Sequence, residues 1–152
     1  MMIAKADVDP MKVWFRVMRL HHRALAAMSS RLKELGLSVA QFDLLSSLTE
    51  REGISQSELA EKLYVTKGNV SGLVDRLVQS GLVERRAISG DRRSYAMHLT
   101  LEGRRLAEAG LAAQGSFVGE TLGALPQADI AELERIIINW RDVVRAKTGH
   151  AS

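Results

Sequence analysis

The sequence predicts a mainly α-helical domain carrying one small two-stranded β ribbon. Apolar residues recur at intervals of three and four through most of the chain, the period of a helix that buries one face. Two sequences, Ser38-Val-Ala-Gln41 and Ser55-Gln-Ser-Glu58, read as capping boxes, in which a serine hydroxyl satisfies a free backbone N–H and the fourth side chain reaches back. The stretch 82–99 breaks the helical period and is split by the turn-forming Ile88-Ser-Gly-Asp91, as a hairpin requires.

A chain of 152 residues, 46% hydrophobic, is long enough for one ordinary domain, 1–152, with a core of its own, and for helices shared with a second copy. The absence of cysteine excludes disulfides, thiolate metal sites and a thiol redox sensor. There is no run of about 18 apolar residues. The first residues, MMIAKADVDP, put acids where a signal peptide needs an apolar core. The expectation is a cytoplasmic protein with no membrane partner.

Net charge is only +3, but from Lys62 to Arg105 nine basic residues face four acidic ones, a local +5 that leaves −2 for the rest. A basic centre between near-neutral ends suits a protein that meets phosphate there and works otherwise at its ends; a solvated charged face is the plainer alternative.

Pro10 opens a long first helix, about 11–36, whose stripe runs through Val13, Val17, Leu20, Ala24, Ala27, Met28 and Leu35, interrupted once by the basic Arg31, to a stop near Gly36. His21 and His22 are adjacent; they point about 100° apart on a helix and do not share a metal as an i, i+4 pair can. Ser38 caps a second helix with Phe42, Leu44, Leu45 and Leu48, and Ser55 a short third with Leu59, Ala60 and Leu63.

The fourth helix, Thr66 to Gly81, is the centre of the chain. Thr66 is its expected cap, Val70, Leu73, Val74, Leu77 and Val78 its buried stripe, and Gly81 its left-handed stop. The opposite face opens with Lys67, Gly68, Asn69, Ser71 and Gly72. A mid-helix glycine costs up to about 1 kcal/mol against alanine, so either something approaches this face closely or a glycine packs on the preceding helix. The hairpin follows, with Tyr95, Met97 and Leu99 expected over the core and Arg92 and Arg93 near the tip. Such a hairpin must lean on the helices.

Thr100 caps a further helix through Leu106, Ala109, Ala113 and Phe117. The last helix starts near Pro126 and carries Ile130, Leu133, Ile137, Trp140 and Val144, with Ile136 and Val143 beside them. So wide an apolar face demands a cover, and the segments 11–36 and 101–147 are the expected dimerisation helices.

This order of elements is a winged helix-turn-helix, about 38–100, flanked by dimerisation helices. At TKGNVSGLVDRLVQSGLVERR and GDRRSYAMHLTLEG the sequence resembles the MarR (multiple antibiotic resistance regulator) family of transcription regulators. The specific parts are Leu77-x4-Leu82-Val83-x-Arg85 and the run from Asp91-Arg92-Arg93 to Leu99-Thr100-x2-Gly103. The resemblance implies a homodimeric repressor of a pseudo-palindromic double-stranded DNA site, with the fourth helix in the major groove and a wing arginine in the minor groove. Asparagine pairs with adenine and lysine with guanine in the one, and arginine is drawn to the narrow other. The expected DNA-binding set is Thr66, Lys67, Asn69, Val70, Ser71, Arg76, Arg86, Asp91, Arg92 and Arg93. Lys67, Asn69 and Ser71 would reach the groove, Thr66 and Arg76 phosphate, and Arg93 the minor groove. Asp91 would orient an arginine or serve the turn. The resemblance also implies release by a small ligand, often aromatic and anionic, for which Trp14, Arg16, Arg19, His22 and Phe42 would supply cation and ring.

No cofactor or metal is expected. There is no phosphate loop or nucleophile motif, and the histidines lack metal spacing, so an enzyme is disfavoured. A protein-binding winged helix should carry apolar residues where Lys67, Asn69, Ser71, Arg92 and Arg93 stand. A DNA-binding protein without a ligand remains an alternative.

Overall fold

The computed structural model describes residues 7–63, 67–88 and 90–149, without the side chains of 67, 68 and 91–93. In order the elements are α1 (Pro10–Glu34), α2 (Val39–Glu50), β1 (Ile54–Ser55), α3 (Gln56–Leu63), α4 (Lys67–Gln79), β2 (Val83–Ile88), β3 (Asp91–Leu99), α5 (Leu101–Glu120) and α6 (Gln127–Thr148), with a short 3-10 turn at Leu122–Ala124. The chain divides into two compact units, Met1–Ala113 and Gln114–Ser152.

Local chemistry sets the helix ends. Asp9 caps α1 by accepting from the Met11 N–H at 2.9 Å, and proline in the first turn gives up a hydrogen bond the helix would not have made. Helices α1 and α4 stop in the same way. Gly36 and Gly81 adopt φ of 76° and 74°, and the residue after each donates back into the last turn, Leu37 to Leu32 O at 3.0 Å and Leu82 to Leu77 O at 2.9 Å.

Both halves of the Ser38–Gln41 capping box form, at 3.1 and 2.9 Å. Ser55 completes only one half. It accepts from the Glu58 N–H at 3.1 Å, while its hydroxyl, not its backbone, meets the Glu58 carboxylate at 3.4 Å. Ser55 also belongs to a strand, paired with Ala96.

The expected two-stranded wing forms, and β1 adds a third strand to its sheet. The sheet has three antiparallel strands in the order β1-β3-β2. β1 adds Ile54 opposite Met97 and Ser55 opposite Ala96. β2 and β3 pair from Val83↔Leu99 to Ala87↔Tyr95, then shift register so that Ile88 faces Asp91. Asp91 is therefore a strand residue, and Gly90 carries the positive φ of the turn, 86°.

The core is built by Leu44, Leu45 and Leu48 from α2, Leu59 from α3, Val70, Val74 and Leu77 from α4, and Val83 and Met97 from the sheet, with Leu32 of α1 at its edge. Tyr95 does not join Met97 and Leu99 there; it is 44% exposed, because β3 runs outward past the helices toward the wing tip.

The terminal helices differ. No described residue of α6 is buried, and only Leu32 is buried on α1. Leu133, Ile136, Ile137, Val143 and Val144 stay exposed, as do Trp14, Phe15 and Leu20. Among the described residues no helix is long and apolar enough to cross a membrane.

Candidate nucleic-acid interface

Helix α4 presents two faces. Val70, Leu73, Val74 and Leu77 seat it on the core, which leaves Asn69 and Arg76 exposed and Ser71 and Gly72 half-buried. A Cβ added at Gly72 would meet no described residue within 4 Å, so no described neighbour requires a glycine there. Arg76 makes no ion pair with another described residue. Val70, which the sequence placed in the contact set, is fully buried; it holds the helix in place and offers no atom to a groove. Thr66 lies outside the described residues. Lys67 occupies the first position of α4, and Asp91, Arg92 and Arg93 open β3 beyond the turn.

Arg86 lies on the outer face of β2 and donates to the Glu84 carboxylate at 3.1 Å, with 57% of its side chain exposed. Such a surface pair is worth little and yields readily to a phosphate.

The base of the wing is fastened at several points that local patterns did not reveal. Arg85 donates to Asp75 of α4 at 2.5 Å and to Gln56 of α3 at 3.4 Å. Glu52, in the turn before β1, accepts from Arg104 of α5 and lies 3.2 Å from His98 Nδ1 of β3. The Thr100 hydroxyl donates to Gly81 O at 2.7 Å and accepts from the Gly103 N–H at 3.0 Å. Gly103 is required sterically, since a Cβ there would run into the Leu82 carbonyl. The repeat of Arg85 with Val83 on alternate β2 positions was the available signal for an inward-facing arginine; its partners lie 10 and 29 residues away in sequence. A further polar recess between α3 and β3, about 220 Å³, is lined by Ser55, Gln56, Ser57, Ser94 and Tyr95, none of which the sequence singled out as contacts.

On α1 the structure brings Arg19 and His22 together with Phe15, Met18 and Arg23 around a shallow depression of about 390 Å³. Trp14 and Arg16 are exposed on the same helix but do not line it. Phe42, expected as a ring for a ligand, is 3% exposed. A Cβ at Gly110 would sit 2.6 Å from its ring, so Phe42 fills the α2–α5 contact and has no face left for a ligand.

The sequence model of the MarR family matches residues 37–95, the stretch from α2 into β3. A helix-turn-helix-type transcriptional regulator of Bacillus cereus is 31% identical over 125 residues, which cover 80% of this chain and 83% of that protein. The chain belongs to the MarR family. The regulator PecS of Dickeya dadantii is 39% identical to this MarR-family chain over 103 residues, 64% of this chain and 60% of PecS. Among solved structures, Streptococcus pneumoniae FabT in complex with DNA shares the fold at a TM-score of 0.80 and 19% identity, over 91% of this chain and 99% of FabT. The MarR-family chain is thus a transcription regulator with a DNA-binding winged helix, and the family's members are regulators, not enzymes.

Proposed function

We propose that this MarR-family regulator is a homodimeric repressor that binds a pseudo-palindromic operator and releases it when a small ligand binds. One observation carries the reading. The outward face of α4 keeps Asn69 and Arg76 exposed beside a glycine that no described neighbour requires, while α1 and α6 each leave apolar residues exposed. The first surface suits a duplex and the second a copy of the same chain. That the same fold holds DNA in FabT supports the first half.

In this reading Lys67, Asn69 and Ser71 face the major groove, with Thr66, Arg76 and Arg86 at phosphates. Arg93 enters the minor groove, with Asp91 orienting an arginine. A dimer sets two such helices about 34 Å apart, one duplex turn. The depression formed by Phe15, Arg19 and His22 supplies ring and cation to an aromatic anion, and the place of work is the cytoplasm.

Selection of bound sequences from a random DNA pool tests this directly. The expected result is a motif with two inverted half-sites about 10 base pairs apart. With roughly eight phosphates neutralised per dimer, affinity should fall about four decades between 50 and 200 mM salt. No enriched motif, or binding indifferent to salt, overturns the reading. Arg93→Ala should weaken operator binding and leave the melting temperature nearly unchanged.

A further inference from the structure

We propose that Arg85 is a positioning residue that holds the wing at a fixed angle to α4, so that discrimination between DNA sequences, more than affinity for DNA as such, depends on the Asp75–Arg85–Gln56 tie. The inference rests on the function proposed above and names a part of it.

Two neighbouring arginines on β2 are used in opposite ways. Arg86 points outward, 57% exposed. Arg85 pairs across the ladder with Met97, which is fully buried, and so shares the sheet face that lies on the helices; only 26% of its side chain is exposed. Its guanidinium reaches one acceptor on α4 and another on α3, a task for a planar fork that a lysine ammonium does not perform. Asp75 offsets its charge, so Arg85 adds little to the field a phosphate meets. Conversely, an acid on the helix that faces DNA weakens binding through its field alone, and the tie gives Asp75 a reason to be there.

The wing needs such a tie. Beyond Ala87 the β2–β3 ladder shifts register, so the tip is not aligned by regular pairing and its direction is set at the base. Helix and wing must fit their grooves together, and a recognition constellation tolerates errors of only about 0.5 Å.

The test compares the full-length protein with Arg85→Gln, Arg85→Lys and Asp75→Asn, on the selected operator and on a scrambled duplex of the same composition. Arg85→Gln is expected to bind operator about tenfold or more weakly, the scale of one lost charge-assisted hydrogen bond. Its affinity for scrambled DNA should fall much less, only by what the uncovered Asp75 charge costs on any duplex, and its salt slope should stay as in the parent. Arg85→Lys should lose operator affinity as well, because it keeps the charge and not the fork. Asp75→Asn should bind operator more weakly yet scrambled DNA as well or better, an outcome that loss of a merely structural contact does not produce. A parallel fall on both duplexes with a salt slope smaller by about one would make Arg85 a phosphate contact and overturn the proposal. So would parental operator affinity in Arg85→Lys or Asp75→Asn. Should Arg85→Gln unfold below the assay temperature, the other two variants decide on the same criteria. A parent protein that selects no motif refutes the function; a discriminating parent with equally discriminating variants refutes this inference alone.

Discussion

The segment from α2 to β3 and the terminal helix α6 handle apolar side chains in opposite ways. In the first, each stripe closes on neighbours within the chain: Leu44, Leu45, Leu48, Leu59, Val70, Val74, Leu77 and Met97 are all fully buried. What remains outside is mostly polar or charged, with Ile88 and Tyr95 the large apolar exceptions among the described residues. In the second, Leu133, Ile136, Ile137, Val143 and Val144 remain exposed. Apolar surface left in water forfeits about 25 cal/mol per Å², and a row of such residues along one helix marks a contact surface. The lobe from α2 to β3 therefore closes its core within one chain, whereas the terminal helix leaves apolar residues that the proposed dimer would cover.

Leu77→Ala should break the first half of that contrast most severely. It empties a fully buried site and should cost about 2–5 kcal/mol. In a chain of this size that lowers the melting temperature by roughly 5–15 °C, read by circular dichroism. Ile137→Glu tests the other half. Ile137 is 53% exposed in the single chain, so the fold of each chain should survive, while the dimer dissociation constant should rise about thirtyfold or more, as for a central interface residue. Sedimentation velocity reads the change. A variant that stays dimeric, or a parent that is monomeric, would remove the explanation offered for the apolar face of α6.

The difference also explains what the sequence could disclose. Caps and stripes are local: Ser38 with Gln41, Gly36, Gly81 and the α4 stripe each depend on residues within a few positions, so their structures follow from neighbours in sequence. The two-residue β1 is too short to show alternation and is hidden inside the Ser55 cap. The ties of Arg85, Glu52 and Gly103 join residues 10 to 52 positions apart or depend on a backbone approach, and no local pattern encodes them. Val70 and Phe42 show the converse limit. Each was put in a contact set, Phe42 for its ring and Val70 for its place on the fourth helix although its spacing already put it in the buried stripe, and each side chain is committed to packing.

Thr100 stands where the wing passes into α5, and a smaller effect is expected there. Its hydroxyl accepts from the Gly103 N–H and donates to Gly81 O. Thr100→Ala should cost about 1 kcal/mol, the usual value of a helix cap, and Thr100→Ser should recover most of it. The measurement is denaturant unfolding. Full stability in the alanine variant would show that the junction is held by Gly103 and the Glu52 pairs without the hydroxyl.

The smallest effects compare one ion pair from each side of the contrast. Glu102–Arg105 on α5 and Glu132–Arg135 on α6 are both i, i+3 pairs. In each, a hydrogen bond from the arginine holds the carboxyl below its ordinary value of 4.5. A carboxylate lowered in the folded state contributes stability above its unfolded value and loses it as pH falls through the folded one. Glu102→Gln and Glu132→Gln should therefore each lower the melting temperature slightly at neutral pH, and the difference from the parent should shrink below pH 4.5. Exposed pairs are screened, so about 1 M salt should shrink it too. If the effect of Glu132→Gln resists salt while that of Glu102→Gln does not, the side of α6 bearing Glu132 is covered in the assembled molecule, and the partner surface extends beyond the apolar stripe. If both respond alike, Glu132 stays in solvent and the contact is confined to the stripe.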